Sequence, residues 1–480
     1  MTSSLIALAI FGLLGLLAEG GTGRVWASDE TPIAGRPPVT PVIEFSNGRW
    51  YDGRRFPAAT FYAVDGLLTR RRPAGPMAVV DLRGGYVVPP FGEAHNHNIE
   101  GTWNVNETIS RYLRDGVFYV KITGDIAELA RDVRDRINQP GSIDVVFAHG
   151  GITGKGGWPS ALYRDVLRHA RYAPVLGPLS PDWFDDRAYY VVESREQLDE
   201  KWAKLIVSRP DFVKVYLECS ESHGAAAAVC AGRSGLDPSL LPHAVELARR
   251  AGLTVTAHVL TAADFRVAVS AGVRDIAHVP GWLLLSPAMT DLARLSDEDA
   301  RLAARKGARV TTTTVASRHM GQFRTGPWAE APGSGAHGSS GTPGHAMPVG
   351  ASHDSGTGGL RVPGAQVEAE RSERSVAIAN LRALRRHGVT VLIGSDHADT
   401  PLAEALNLHS TGVFTNAELL RMWSETTPRA IFADRRIGRL AEGFEANFLV
   451  LEANPITDFR NVQRIRLRVK AGRILPGENR

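Results

Sequence analysis

The sequence predicts an α/β fold, a (β/α)8 TIM barrel with a small β-sandwich built from both chain ends, on three observations. Five short apolar runs each end in a residue that can bind metal. They are residues 86–90 leading into Phe91-Gly92-Glu93-Ala94-His95-Asn96-His97, then Phe212-Val213-Lys214, the run 253–257 before His258, Asp275-Ile276-Ala277-His278, and Val391-Leu392-Ile393-Gly394-Ser395-Asp396. Parallel strands covered on both faces read as such near-continuous apolar runs, and barrel enzymes place their chemistry at the C-terminal ends of their strands. Strand and helix patterns also alternate through the middle of the chain, the signature of a parallel sheet with helical crossovers. Finally, period-2 segments flank that middle at both ends.

Taken in chain order, residues 5–18 form an apolar stretch of 14 residues, too short to cross a bilayer comfortably. Val25-Trp26-Ala27 offers small residues at −3 and −1 of a cleavage site, so residues 1–27 read as a signal peptide, although no Lys or Arg precedes the apolar stretch. A retained anchor is the alternative. The expected location is periplasmic or secreted, with no stable membrane insertion after cleavage. Residues 28–40 are polar and Pro-rich, a linker. Residues 41–90 carry β-type runs such as residues 60–64 before the turn signal Asp65-Gly66. Residues 431–480 repeat that style at 448–451 and 465–469, and the two segments together make the expected sandwich.

Residues 91–430 are the expected barrel. Eight strand candidates end near His97, Lys121, His149, Lys214, His258, His278, Val315 and Asp396, and the clearest helical patterns are 240–251 and 367–387. Residues 150–194 and 316–366 are long connections on the catalytic face, and such loops are commonly lids or binding loops.

The composition limits the function classes. A chain of 480 residues exceeds one compact core and suits a barrel plus a smaller domain; at 43% hydrophobic and 22% charged it is globular. Net charge is +4 and the pI about 9.1, but the basic residues are scattered, which argues against a nucleic-acid partner. A small-molecule substrate is expected, and an oligomer is compatible with the sequence. The two cysteines, Cys219 and Cys230, match no common zinc spacing; export permits a disulfide between them, with two free thiols as the alternative.

The chemistry resides in the strand ends. His95 and His97 are two apart on a strand and share a face, and neutral imidazole is a good zinc ligand. Lys214 shares a face with Phe212 and Tyr216; a Lys inside a barrel is costly unless paired or modified. Lys121 closes strand two in a similar setting and is its rival. His258 and His278 end successive strands. Asp396 ends strand eight, where a carboxylate can bind metal and accept a proton from water; Asp399 is the fallback. Tyr216, His149 at the end of strand three and His319 in the loop after strand seven are candidate substrate contacts. There is no G-x-S-x-G elbow, and the Gly-rich run 333–344 lacks the Lys of a phosphate-binding loop.

As a group these residues resemble the amidohydrolase superfamily, in its imidazolonepropionase/prolidase-like branch. The likeness runs through the first-strand H-x-H, the fourth-strand Lys, His on strands five and six, Asp on strand eight, and the stretch 437–448 that returns to the sandwich. Glu93 and Asn447 depart from the Asp more usual at both places. The resemblance implies two divalent metal ions, usually zinc. His95, His97 and Asp396 would hold one, His258 and His278 the other, with Lys214 between them as an N-carboxylated bridge. A bridging hydroxide would attack, and Asp396 would carry its proton to the leaving group. The expected reaction is hydrolysis of an amide (C–N) bond in a small cyclic or linear substrate, with dipeptides as a subcase. The alternatives are a zinc deaminase, a lactonase or phosphotriesterase, and a non-catalytic exported metal- or ligand-binding protein. The deaminase reading lacks a Glu soon after His258, where the chain runs to Asp264 instead.

Overall fold

The computed structural model describes residues 42–476 apart from 100, 104, 161, 167–178, 224–234, 285–287, 317–363 and 397–399. The expected signal peptide, His319, Cys230 and Asp399 therefore lie outside the described residues, as does most of the long connection 316–366.

The chain opens with β1 (Ile43–Trp50), β2 (Ala58–Val64), β3 (Leu67–Thr69), β4 (Ala78–Asp81) and β5 (Tyr86–Val88). The parallel strands of the central region are β6 (Phe91–Asn96), β7 (Val117–Ile122), β8 (Asp144–Phe147), β9 (Gly151–Thr153), β10 (Tyr189–Val191), β11 (Val213–Tyr216), β12 (Val255–His258), β13 (Asp275–Ile276), β14 (Arg309–Thr311) and β15 (Thr390–Leu392). It closes with β16 (Phe448–Leu451), β17 (Ile465–Lys470) and β18 (Arg473–Ile474).

The two chain ends share one eight-stranded sheet in the order β18-β17-β16-β5-β1-β2-β3, with β4 beside β1. β16 enters between the ends by pairing antiparallel with β5, Leu449 opposite Val88. Its interior is aromatic: the Phe45 and Phe448 rings meet edge to face at 4.9 Å, an arrangement the ring quadrupoles favour. Asn447 ties this sheet to the parallel strands. Its amide nitrogen donates to Tyr119 Oη (2.9 Å) and Glu445 (2.8 Å), and its carbonyl accepts from Ala471 N (2.6 Å). The departure at position 447 thus serves as a neutral joint whose donors and acceptor are both occupied.

The parallel strands form two sheets, β6-β7-β8 and β10-β9-β11-β12-β13-β14-β15. Backbone hydrogen bonds link the last to the first: Ala94 N to Ile393 O (2.9 Å) and Asp396 N to His95 O (2.7 Å). All eight anticipated strands are present. Strand three is broken: β8 ends at Phe147, His149 turns at φ +57°, and the chain resumes as β9 beside β11. Residues 150–194 hold β9 and β10, so part of the expected lid belongs to the sheet. Strand seven ends at Thr311 rather than near Val315. The expected helices appear as Leu241–Arg250 and Gly364–Arg386. Asp264, the residue after His258 that stands nearest a deaminase Glu, caps the helix Ala262–Ser270 and accepts from the amides of Cys219, Ser220, Leu260 and Thr261. Among the described residues no helix is long and apolar enough to cross a membrane.

Candidate metal centre

Register brings the site together. Lys214 pairs with Thr256 and Tyr216 with His258 across β11 and β12. Partners in a parallel pair present side chains to the same face, and residues two apart share it. Lys214 therefore lies one layer beneath Tyr216 and His258. His95, His97, Lys214, His258, His278 and Asp396 line a single cavity together with Tyr216, Trp158 and Trp282. The space is tight, about 10 Å³, or room for one water-sized sphere.

His95, His97 and Asp396 each offer a ligand atom, all within 4.8 Å of one another. The Nε2 atoms of His95 and His97 lie 3.6 and 3.5 Å from Asp396 Oδ1. Those separations are longer than hydrogen bonds. They are near the roughly 3.4 Å expected between two ligands at about 2.0–2.1 Å from one tetrahedral ion. His97 Nδ1 donates to Gly124 O at 2.8 Å, and its Nε2, 3.4 Å from Thr123 Oγ1, faces Asp396. His95 Nδ1 is buried and makes no hydrogen bond among the described residues. Burial, followed by the Lys214 charge and the neighbouring imidazoles, holds the His95 pKa well below its usual value, which favours the neutral ring, the form that binds metal.

The second pair faces inward too. His258 Nδ1 and His278 Nε2 are 2.9 Å apart, and His278 Nδ1 meets Thr313 Oγ1 at 2.8 Å. With no ion, one of the facing nitrogens must carry a proton for the other to accept; with an ion, both offer lone pairs. The donor chemistry on both sides of the cavity thus fits divalent metal. Lys214 is fully buried, and burial pushes its pKa down to about 7; Asp396 acts upward and Lys121 downward.

Lys121 sits differently. Its Nζ donates to Thr256 Oγ1 (2.9 Å) and Asp275 Oδ2 (3.0 Å), and Arg309 Nε holds the other oxygen at 2.6 Å. Its charge is taken up by a buried ion-pair network outside the cavity lining. His149 is not among the residues that line this space. Val146 pairs with Lys121 and shares its face, so Phe147 points the other way, and the His149 ring stacks on Phe147 at 5.6 Å. His149 Nδ1 donates to Asp125 Oδ2 at 2.9 Å. Burial depresses its pKa, but the Asp125 charge and hydrogen bond outweigh that and raise it.

Sequence reasoning missed the residues that brace the site. Glu93 joins strands one and eight beneath the ligands. Its Oε1 receives His95 N (3.2 Å) and Ser395 N (2.9 Å), and its Oε2 lies 2.6 Å from Ser395 Oγ. Burial pushes its pKa up to about 8 against those hydrogen bonds. Asp396 and Thr313 have left-handed backbones, φ +57° and +48°, a strained state that persists only where surroundings enforce it. Trp158 and Trp282 form aromatic walls, and the Trp158 amide donates to Glu218 Oε2 at 2.7 Å. The Pro280-Gly281 turn signal after strand six was the one available pointer to Trp282.

No curated protein sequence matches the chain. Solved structures are similar over most of its length. A prolidase complexed with N-methylphosphonate-L-proline is 18% identical, covering 91% of this chain and 100% of its own, with a TM-score of 0.64. The A. niger ochratoxinase is 15% identical, covering 92% and 97%, at 0.63. Molinate hydrolase is 14% identical, covering 91% and 95%, at 0.59. At such identities the likeness speaks to a TIM-barrel-like α/β fold, while residues 102–475 match the amidohydrolase family itself. The chain is a metal-dependent hydrolase of the amidohydrolase family.

Proposed function

We propose that the protein hydrolyses the amide C–N bond of a small substrate, cyclic or linear, with dipeptides as one subcase, inside a closed (β/α)8 barrel. The observation that carries this reading is the convergence of His95, His97, Lys214, His258, His278 and Asp396 on one cavity. His95, His97 and Asp396 would hold one divalent ion, His258 and His278 a second, with an N-carboxylated Lys214 between them and zinc the expected metal. Two bound ions would supply an activated water and polarise the scissile carbonyl. The chain's own residues do the rest. Asp396 accepts the proton of the attacking water and returns it to the leaving nitrogen. Glu93 keeps strands one and eight in register beneath it. Trp158, Tyr216 and Trp282 wall the cavity with aromatic surface, which favours apolar groups beside the amide.

Protein purified without chelator should contain about two divalent ions per chain by elemental analysis, and should turn over some members of a panel of N-acyl amino acids, dipeptides and cyclic amides. Full activity with one ion or fewer would instead support a mononuclear deaminase. Metal without turnover on any amide, ester or deaminase substrate would support a binding protein.

Export belongs to the same proposal. The mature chain would begin near Ser28 in the periplasm or outside the cell, with Cys219 bonded to Cys230. Intact mass should match that start and rise by about 2 Da on reduction, the two hydrogens a disulfide takes up; an unchanged mass removes the bond.

A further inference from the structure

We propose that Trp282 is a positioning residue that fixes the ring plane of His278. Only the metal readout below rests on the two-metal reading.

The segment His278-Val279-Pro280-Gly281-Trp282 reverses on itself. Gly281 takes φ +87°, and Trp282 N donates to Val279 O at 3.1 Å. The turn brings the indole back over the histidine four residues earlier, at 4.2 Å between centroids and 15° between planes. The same indole meets His258 edge-on at 5.8 Å and 89°, and its Nε1–H donates to Val259 O at 3.2 Å. One side chain thus touches both histidines of the pair and is anchored to the strand that carries His258.

The plane of the His278 ring rotates about its Cβ–Cγ bond. Nδ1 meets Thr313 and Nε2 faces His258, and both nitrogens lie close to that axis, so these in-plane contacts oppose a small rotation less directly than a stacked face does. The His95 ring, 4.5 Å away, meets His278 at 46°. The indole, a flat aromatic surface nearly parallel to the imidazole, opposes the rotation directly. The turn that presents it is itself fastened. Asn380, buried on the helix Gly364–Arg386, donates to Pro280 O and Ala293 O (2.8 Å each) and accepts from Leu295 N (2.9 Å). A Cβ on Gly281 would fall 2.5 Å from Val376 Cγ1.

The competing explanation is plain packing, since Trp282 also sits among Leu283, Leu284, Met289 and Val376. The two differ in what Trp282→Leu and Trp282→Phe do to the full-length protein. In the metal-free protein, long-range 15N–1H spectra should show the His278 ring signals shifted and broadened in Trp282→Leu, and close to wild type in Trp282→Phe, which keeps a ring face. In a cobalt(II) titration followed by absorbance, Trp282→Leu should bind the second equivalent at least about 10-fold more weakly, the lower end for residues that orient a ligand; Trp282→Phe should stay within about threefold of wild type, well short of that range. Unchanged His278 signals in the Leu variant, even with a lowered Tm, overturn the proposal. So does a Phe variant as impaired as the Leu variant. If Trp282→Leu does not fold, Trp282→Met keeps volume without a ring plane and is read the same way. Should wild type take up one ion only, the two-metal reading fails, while the His278 signals still decide the role of Trp282.

Discussion

Lys214→Ala should purify with about one divalent ion per chain and lose at least 10²-fold in kcat/KM. The magnitude follows from its proposed role: residues that merely orient metal ligands change affinity or activity by roughly 10–100-fold when removed, and a ligand between two ions should cost no less. A free ammonium between two dications would be strongly repelled; on the proposed reading a carbamate would reverse that charge and supply oxygen ligands. Short carboxylic acids should restore part of the lost activity by filling the vacated space. Lys121→Ala is the control. It removes one partner of buried Asp275 while Arg309 keeps the other oxygen. Its cost should appear in stability, below the roughly 3–5 kcal/mol of a fully broken buried pair, with two ions still bound. Elemental analysis and a denaturant curve for each variant separate the effects. If Lys214→Ala keeps two ions and full activity while Lys121→Ala loses them, strand two supplies the bridge and the assignment falls.

The contrast between these lysines shows where sequence reading stops. Both sit in short apolar strands, and nothing local tells them apart. What separates them is Asp275, far along the chain from Lys121, which register alone delivers to its ammonium. The strand ends that converge on the cavity were legible because apolar runs that stop at His, Lys or Asp are a local signal. His149 meets the same local rule, but the chain turns at φ +57° there and its ring stacks on Phe147. The strands β9 and β10 span three residues each, too few to show a period. Glu93 was visible only as an unusual neighbour of the H-x-H pair. Its role as a clamp depends on Ser395, which barrel topology, not sequence proximity, places beside it.

That clamp sharpens the expectation for Asp396. Its backbone is held at φ +57° by its amide on His95 O and, one residue earlier, by Ser395 on Glu93, so the carboxylate is aimed before any ligand arrives. Asp396→Asn keeps the shape and one ligand oxygen facing His95 and His97, but an amide cannot accept the proton of the attacking water. The variant should retain most of its metal and lose about 10²–10⁴-fold in kcat, the range for a positioned general base, with KM changed far less. Asp396→Ala should lose metal as well, because the oxygen 3.5–3.6 Å from both imidazoles is gone. Metal content and kcat measured together on both variants test the assignment. An Asn variant with full metal and activity within tenfold of wild type would leave Asp396 a ligand only, and would move the proton transfer to another group lining the cavity.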